Sequence, residues 1–466
     1  MCKAQGESIL LGTLAGPPLA SLYHCLPLLT CLTANVVLPI EGVEVSAPEL
    51  VSVTTPIPEA LPIAPLPLPQ ATQGTEVLLL QEDGELGPGL VRERTRQVTT
   101  SVTCDFSDVR FSAEFPQGRF GRCERGEDGR VIIHLEPETT PINPSPWHAF
   151  TVQSDSERTI GIEIRSEYAE TRYSPKMSVD RQTWKVMEYE REGSAQYFTV
   201  EVGAEKVWIA GQELFDNNDY QVWLAQLQER FPQLVRTELG RSVEDREIPA
   251  LVHYTSGNEW LILLGRQHPP EITGAMAMRN FVETLLSDES LSEAFLARYN
   301  VLIAPNLNPD GVAAGNWRAN ANGVDLNRDW FSLEQPETQA VDEFIHGVLE
   351  AGGSLVYGVD FHSTFRDVFY TTPGDYLSKE PDFSYDWLNS LAAAVAPNPI
   401  REQPSANPAQ GNFKQYMADT HGTHAVTYEV ADNSDRLTIG LIATHAATTL
   451  MDYMLTRPLP LVEPSS

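Results

Sequence analysis

The chain has 466 residues and carries 64 acidic against 32 basic side chains, a formal net charge of −32. A surface that acidic repels phosphate backbones, and no basic stripe overrides it, which argues against nucleic acid as a partner. The length exceeds what one compact core normally organises, and a 42% hydrophobic content is ample for two or three folded units.

Residues 8–35 form an apolar tract with little charge. Pro17, Pro18 and Pro27 make a spanning helix a poor reading, so no stable membrane span is expected. Lys3 alone supplies the positive start of a signal segment, and a periplasmic or otherwise exported location is slightly favoured over a cytoplasmic one. In IPEALPIAPLPLPQ proline recurs every two to four residues, which favours an extended, stiff linker. Residues 1–97 therefore read as a leader and Pro-rich linker. Five cysteines stand at 2, 25, 31, 104 and 123. Cys104 and Cys123 are close enough to bridge a short loop, which fits an oxidising compartment; two buried free thiols fit the same spacing.

From 98 to 212 the runs TSVTCDF, RVIIHLEPE, WHAFTVQS, RTIGIEIRSEY and QYFTVEV alternate with period two, separated by turn clusters such as ERGEDGR. That pattern predicts an antiparallel β-sandwich. From 217 to 456 the rhythm changes. DYQVWLAQLQERFPQL has helical spacing, IPALVHYT and EWLILLG are strands, and ITGAMAMRNFVETLL is helical again. The strands NVLIAPNLN, SLVYGVDFH and THAVTYEV follow, then the helical LIATHAATTLMDYML. Strands alternating with helices predict an α/β domain on a mixed, mostly parallel sheet.

Four segments of this second region carry chemistry. In LLGRQHPPEITG an apolar strand ends at Gly265, and His268 and Glu271 follow three residues apart at the mouth of a helix, where imidazole and carboxylate can grip one Zn²⁺. Residues 306–330 are dense in glycine and polar side chains directly after a buried strand, where α/β proteins place ligands. Arg318 and Arg328 there suit carboxylates and oxyanions. His362 stands near the end of the strand in GVDFHSTF. Glu429 lies inside an otherwise apolar strand, a costly place for a carboxylate unless it is paired or used.

H-P-P-E, then N-P-D-G with W-R and D-L-N-R, then D-F-H-S, then T-Y-E, in that order over roughly residues 217–456, resemble the zinc metallocarboxypeptidases of the carboxypeptidase A superfamily. The preceding region, with PINPSPWHAF and RYSPKMSVDRQTW, is similar to the β-domain of the cytosolic-carboxypeptidase-like branch. The resemblance implies an α/β/α catalytic domain and one Zn²⁺ held by His268, Glu271 and His362. It implies Glu429 as the general base that carries a proton from water to the leaving amine. It implies Arg318 as the stabiliser of the oxyanion, and Asn327 with Arg328 as the clamp for a substrate's terminal carboxylate. Asp325 matches the carboxylate that orients the first histidine. The expected substrate is a peptide or protein C terminus. A zinc deacylase or amidase of the same superfamily and a non-catalytic zinc-binding module are the alternatives.

One departure concerns the tyrosine that pancreatic-type members place over the substrate. The matching position, 22 residues before Glu429, is Asn407, with Tyr416 and Tyr376 as possible substitutes. The floor of the specificity pocket, 15 residues before Glu429, falls on Lys414, which would favour an acidic C-terminal residue; a small slip would put Phe413 there instead. The other histidines are read as structural or surface groups, with His421 and His424 nearest the catalytic strand.

Overall fold

The computed structural model describes residues 102–139, 145–166, 169–377 and 380–457. The expected leader and linker, with Cys2, Cys25 and Cys31, lie outside the described residues. All described residues belong to one compact unit spanning Glu82–Ser466.

The alternating runs form eleven strands. They are β1 (Thr103–Asp105), β2 (Arg110–Ser112), β3 (Arg122–Arg125), β4 (Val131–Leu135), β5 (Ala149–Gln153) and β6 (Arg158–Ser166), then β7 (Lys176–Ser178), β8 (Lys185–Val186), β9 (Glu190–Glu192), β10 (Ala195–Val202) and β11 (Val207–Ala210). They pair as a six-stranded sheet, β1-β2-β5-β11-β7-β8, and a five-stranded sheet, β3-β4-β6-β10-β9. Every pairing is antiparallel except β4 with β6. Period-two alternation turns Phe111, Phe150, Val152 and Ile209 of one sheet toward Val131, Ile133, Ile162 and Phe198 of the other, forming one shared core. Cys104 on β1 and Cys123 on β3 are joined as a disulfide, so of the two sequence readings the bridged one is present, and it ties the two sheets together.

The second region begins with α1 (Asn217–Arg230), whose start is fixed by a capping box: Asp216 accepts from the backbone of Asn218 and Asp219, and Asp219 returns a bond to the Asp216 amide. Then come β12 (Val235–Arg241), β13 (Glu247–His253), β14 (Glu259–Gly265), α2 (Ile272–Leu285), α3 (Ser290–Leu296), β15 (Tyr299–Ala304), α4 (Pro309–Ala314), α5 (Pro336–Glu350), β16 (Ser354–Thr364), β17 (Val368–Thr371), α6 (Phe383–Ala394), β18 (Glu402–Pro404), α7 (Phe413–His421), β19 (Ala425–Ala431) and α8 (Arg436–Thr456). The eight strands form one sheet in the order β12-β13-β15-β14-β16-β19-β17-β18. Its centre, β15-β14-β16-β19, is parallel, and antiparallel pairings lie toward both edges.

Helices cover both faces, which is why EWLILLG reads as an unbroken apolar run. Leu261, Leu263, Val359, Phe361, Val426 and Tyr428 pack against α1, α2, α3, α6 and α8. Ile262, Leu264 and Ala425 pack on the other face against α5 and α7. The result is the expected α/β/α arrangement. Among the described residues no helix is long and apolar enough to cross a membrane.

Candidate functional site

The site lies where the parallel strands end. On β16, Val359 and Phe361 enter the helix-covered core, so Asp360 and His362 take the opposite face. On β19, Val426, Tyr428 and Val430 enter the same core, and Glu429 takes the opposite face in register with His362. His268 lies in the turn after β14, and Glu271 is the residue before α2.

That turn is held rigidly. Arg266 has a left-handed backbone, φ 55°, which is uncommon for a side-chain-bearing residue. Its buried guanidinium donates to the Pro269 carbonyl at 2.7 Å and to the Phe215 carbonyl at 3.2 Å, which offsets the strain. The first turn of α2 then approaches β16 so closely that a Cβ on Gly274 would lie 2.5 Å from the His362 carbonyl oxygen. Glycine at 274 sets the distance between the first turn of α2 and His362.

His268, Glu271 and His362 are all buried, and one donor atom from each lies within 4.8 Å of the other two. The Nδ1 atoms of His268 and His362 face Glu271 Oε1 and Oε2 at 2.9 and 2.8 Å. Their Nε2 atoms are taken by other carboxylates: His268 by Asp325 Oδ1 at 2.9 Å, His362 by Asp360 Oδ2 at 2.8 Å. With Nε2–H pinned in this way, both imidazoles turn a lone pair toward a carboxylate. Acceptors facing acceptors need a cation between them, and two imidazoles with one carboxylate are a zinc donor set. The residues present therefore fit the metal.

Glu429 has the opposite character. Burial, and the Glu271 charge beside it, push its carboxyl up to about 7, and its Oε2 is buried with no hydrogen-bond partner. A half-buried carboxyl with one shielded, unpartnered oxygen, next to a metal donor set, is suited to taking up and releasing a proton.

The 306–330 segment supplies the cations. Asp325 Oδ2 accepts from Arg318 Nε at 2.6 Å, so one carboxylate joins the arginine to His268. Burial would raise the Asp325 carboxyl; Arg318 and His268 hold it well below the ordinary range. Arg328 donates to the Asn327 carbonyl at 2.7 Å and is otherwise turned to neither Asp325 nor Glu429 in an ion pair among the described residues. The Asn327 side chain accepts from the Phe413 amide at 3.1 Å, and its Nδ2 lies 3.3 Å from His362 Nε2. Asn327 thus fixes the start of α7 against β16.

Lys414 on α7 is buried, its ammonium donates to the Ser405 carbonyl, and burial lowers its pKa to about 8. Phe413 is likewise buried, packed against Trp330. Tyr416 is also a core residue, donating to Asp342 and bonded to His421 at 2.8 Å. Tyr376 remains half-exposed, donating to Asp419 at 2.6 Å and accepting from Gln415 at 3.0 Å. Asn407 caps the turn 408–410 and bonds through its amide to Gln415.

Several participants escaped the sequence reading. Asp360 could have been found, because it precedes His362 by two on a strand and must share its face. Gln267, which donates to Asp360 at 2.7 Å and accepts from Trp330 at 2.9 Å, had no such signal. Nor had Glu138 and Arg172, which come from the sandwich.

Residues 220–454 match the model of the zinc carboxypeptidase family. The chain belongs to that family. Among curated proteins this zinc carboxypeptidase family member is similar to mouse cytosolic carboxypeptidase 6, with 24% identity over 54% of this chain and 53% of the relative. It is also similar to the Caenorhabditis elegans protein of the same name, with 22% identity over 60% and 65%. The chain spans about half the length of the mouse relative. The fold is shared with a metallo-carboxypeptidase from Burkholderia cenocepacia, at a TM-score of 0.65 and 18% identity over 74% of this chain and 99% of that one. It is shared too with a Pseudomonas aeruginosa metallo-carboxypeptidase solved with (2-guanidinoethylmercapto)succinic acid, at a TM-score of 0.60 and 19% identity over 74% and 98%.

These relatives correct the expectation of export, since they are named cytosolic carboxypeptidases. The physical ground for export was thin: an apolar run broken by Pro17, Pro18 and Pro27 and preceded by one lysine lacks the charged start and uninterrupted core of a strong signal.

Proposed function

We propose that this protein is a zinc-dependent carboxypeptidase that hydrolyses the last peptide bond of a chain with a free C terminus. The observation that carries the reading is the buried His268–Glu271–His362 donor set with Glu429 in register with His362 beside it. Zinc held by His268 Nδ1, Glu271 and His362 Nδ1 would supply Lewis-acid polarisation of the scissile carbonyl and acidify the attacking water.

The chain's own groups do the rest. Asp325 and Asp360 hold the two imidazoles in the tautomer that leaves Nδ1 free. Glu429 accepts a proton from the attacking water and returns it to the departing amine. Arg318, oriented through Nε by Asp325, offers its remaining N–H groups to the developing oxyanion. Arg328, without a carboxylate partner among the described residues, receives the terminal carboxylate beside Asn327. Lys414 favours a C-terminal Glu or Asp: its buried ammonium has no carboxylate within ion-pair distance among the described residues.

A deacylase of the same superfamily would have no use for Arg328 as a carboxylate clamp, and a vestigial binding module no use for an activated Glu429. One experiment separates the three. Zinc content is measured on the purified chain, and peptides with free and amidated C termini are followed by mass spectrometry. The carboxypeptidase reading expects bound zinc and stepwise loss of residues from the free-ended peptide only. Equal cleavage of both peptides overturns it in favour of an amidase; no cleavage of either leaves a binding module.

A further inference from the structure

The sandwich reaches into the site through Glu138, three residues beyond β4. Glu138 is buried, and its carboxylate accepts from three consecutive backbone amides of the 306–330 segment. These are Trp317, Arg318 at 2.9 Å and Ala319 at 2.6 Å. Three N–H groups converging on one carboxylate fix the backbone at the residue whose side chain bonds Asp325, and Asp325 in turn holds His268. The order is Glu138, Arg318 backbone, Arg318 guanidinium, Asp325, His268.

A second set of ties runs in parallel. Tyr173 Oη accepts from Trp317 Nε1 at 2.9 Å, and Trp317 packs with Trp147, Tyr173 and Leu214 in a small cluster between the sandwich and the 306–330 segment. Arg172 donates to Asp432 at 2.7 Å and to the Ser363 carbonyl at 2.7 Å, next to His362. A carboxylate that served only packing would not need to accept from three successive backbone amides. If the loop bearing Arg318 were self-sufficient, those amides would be satisfied within it.

We propose that Glu138 of the sandwich is a positioning residue for hydrolysis, acting through Arg318. The inference rests on the carboxypeptidase reading above. It gives the sandwich a direct part in the chemistry: it sets where the oxyanion-stabilising arginine stands, while the metal donors come from the other region.

The test uses the full zinc-loaded chain and a peptide with a free C terminus. Glu138→Ala is expected to lower kcat between about 10- and 100-fold, the usual consequence of a small misplacement in a catalytic constellation, with KM and zinc content little changed. Glu138→Gln, which keeps a carbonyl acceptor and the volume, should recover part of the loss, and it serves if the alanine variant does not fold. In an Arg318→Ala background Glu138→Ala should cost nothing further, because both changes remove the same interaction. Hydrogen exchange at the 317–319 amides should accelerate in Glu138→Ala. An unchanged kcat, or losses that multiply fully in the double variant, overturns the proposal. Absence of turnover in the wild type would instead overturn the carboxypeptidase reading, and unchanged exchange at 317–319 would then still refute the clamp.

Discussion

Asp360 and His362 stand two residues apart on β16 and meet through a 2.8 Å contact between Oδ2 and Nε2, both fully buried. Gln267 donates to the same Oδ2 at 2.7 Å. The pair fixes the imidazole so that Nδ1 faces Glu271. Asp360→Asn keeps the shape but removes the acceptor charge, and its amide can present N–H to Nε2. Zinc affinity should fall roughly 10- to 100-fold, the usual cost of losing a carboxylate behind a metal-bound histidine. Competition with a chelator of known affinity measures it; an unchanged dissociation constant would show that Asp360 does not set the ligand.

Glu429→Gln separates proton transfer from binding. The amide is isosteric and cannot carry the proton, so turnover should drop at least ~10²-fold while zinc content and substrate KM stay close to wild type. Single-turnover kinetics with metal analysis checks both. A variant within a few-fold of the parent would mean that another group moves the proton.

Much of this arrangement was legible along the chain because its strongest signals are local. The unbroken EWLILLG run and the period-two sandwich strands announced their sheets, and His268 with Glu271 lie within one turn. Strands β12, β17 and β18 were not read. VRTELGR mixes charge with isolated apolar residues at an edge of the sheet, and EQP is three residues long, too short for periodicity to show. Glu138 left no trace because it acts on a backbone about 180 positions away, and backbone amides have no sequence signature. The Asn327 bond to the Phe413 amide was hidden for the same reason.

Glu337 links stability to pH. It lies fully buried in the first turn of α5, one oxygen accepting from Asn320 at 3.0 Å and the other without a partner. Burial pushes its carboxyl up from 4.5 to about 7. Between those two values the folded chain holds a proton that the unfolded chain has released, so stability falls as pH rises through that window and stays lower above it. The loss is on the order of 3 kcal/mol. Glu337→Gln carries no charge at any pH, so its thermal midpoint relative to wild type should climb between pH 5 and pH 8. A gap that stays constant across that range would mean Glu337 is ionised in the fold throughout.

Lys414 makes the sharpest claim about substrate. Its ammonium is buried, donates to the Ser405 carbonyl, and has Asp419 as the acidic group felt from a distance. A charge-assisted contact in a site that excludes water would favour a C-terminal Glu or Asp over a neutral residue of similar size by roughly 2–3 kcal/mol. The chain's net charge of −32 opposes acidic ligands only weakly, because exposed charges are screened beyond about 8–10 Å at physiological salt. Burial lowers the Lys414 pKa to about 8, so the ammonium is lost as pH rises through that value. The preference should therefore be full near pH 6.5 and fade above pH 8, on top of any change in turnover common to all substrates. Peptides differing only in the last residue, run at pH 6.5, 8 and 9 on wild type and Lys414→Ala, decide the matter. Wild type should rank acidic ends first and lose that ranking with rising pH, and Lys414→Ala should lack it at every pH. A wild type that prefers leucine or arginine ends, or an acidic preference that survives Lys414→Ala, would move the specificity determinant elsewhere in the site.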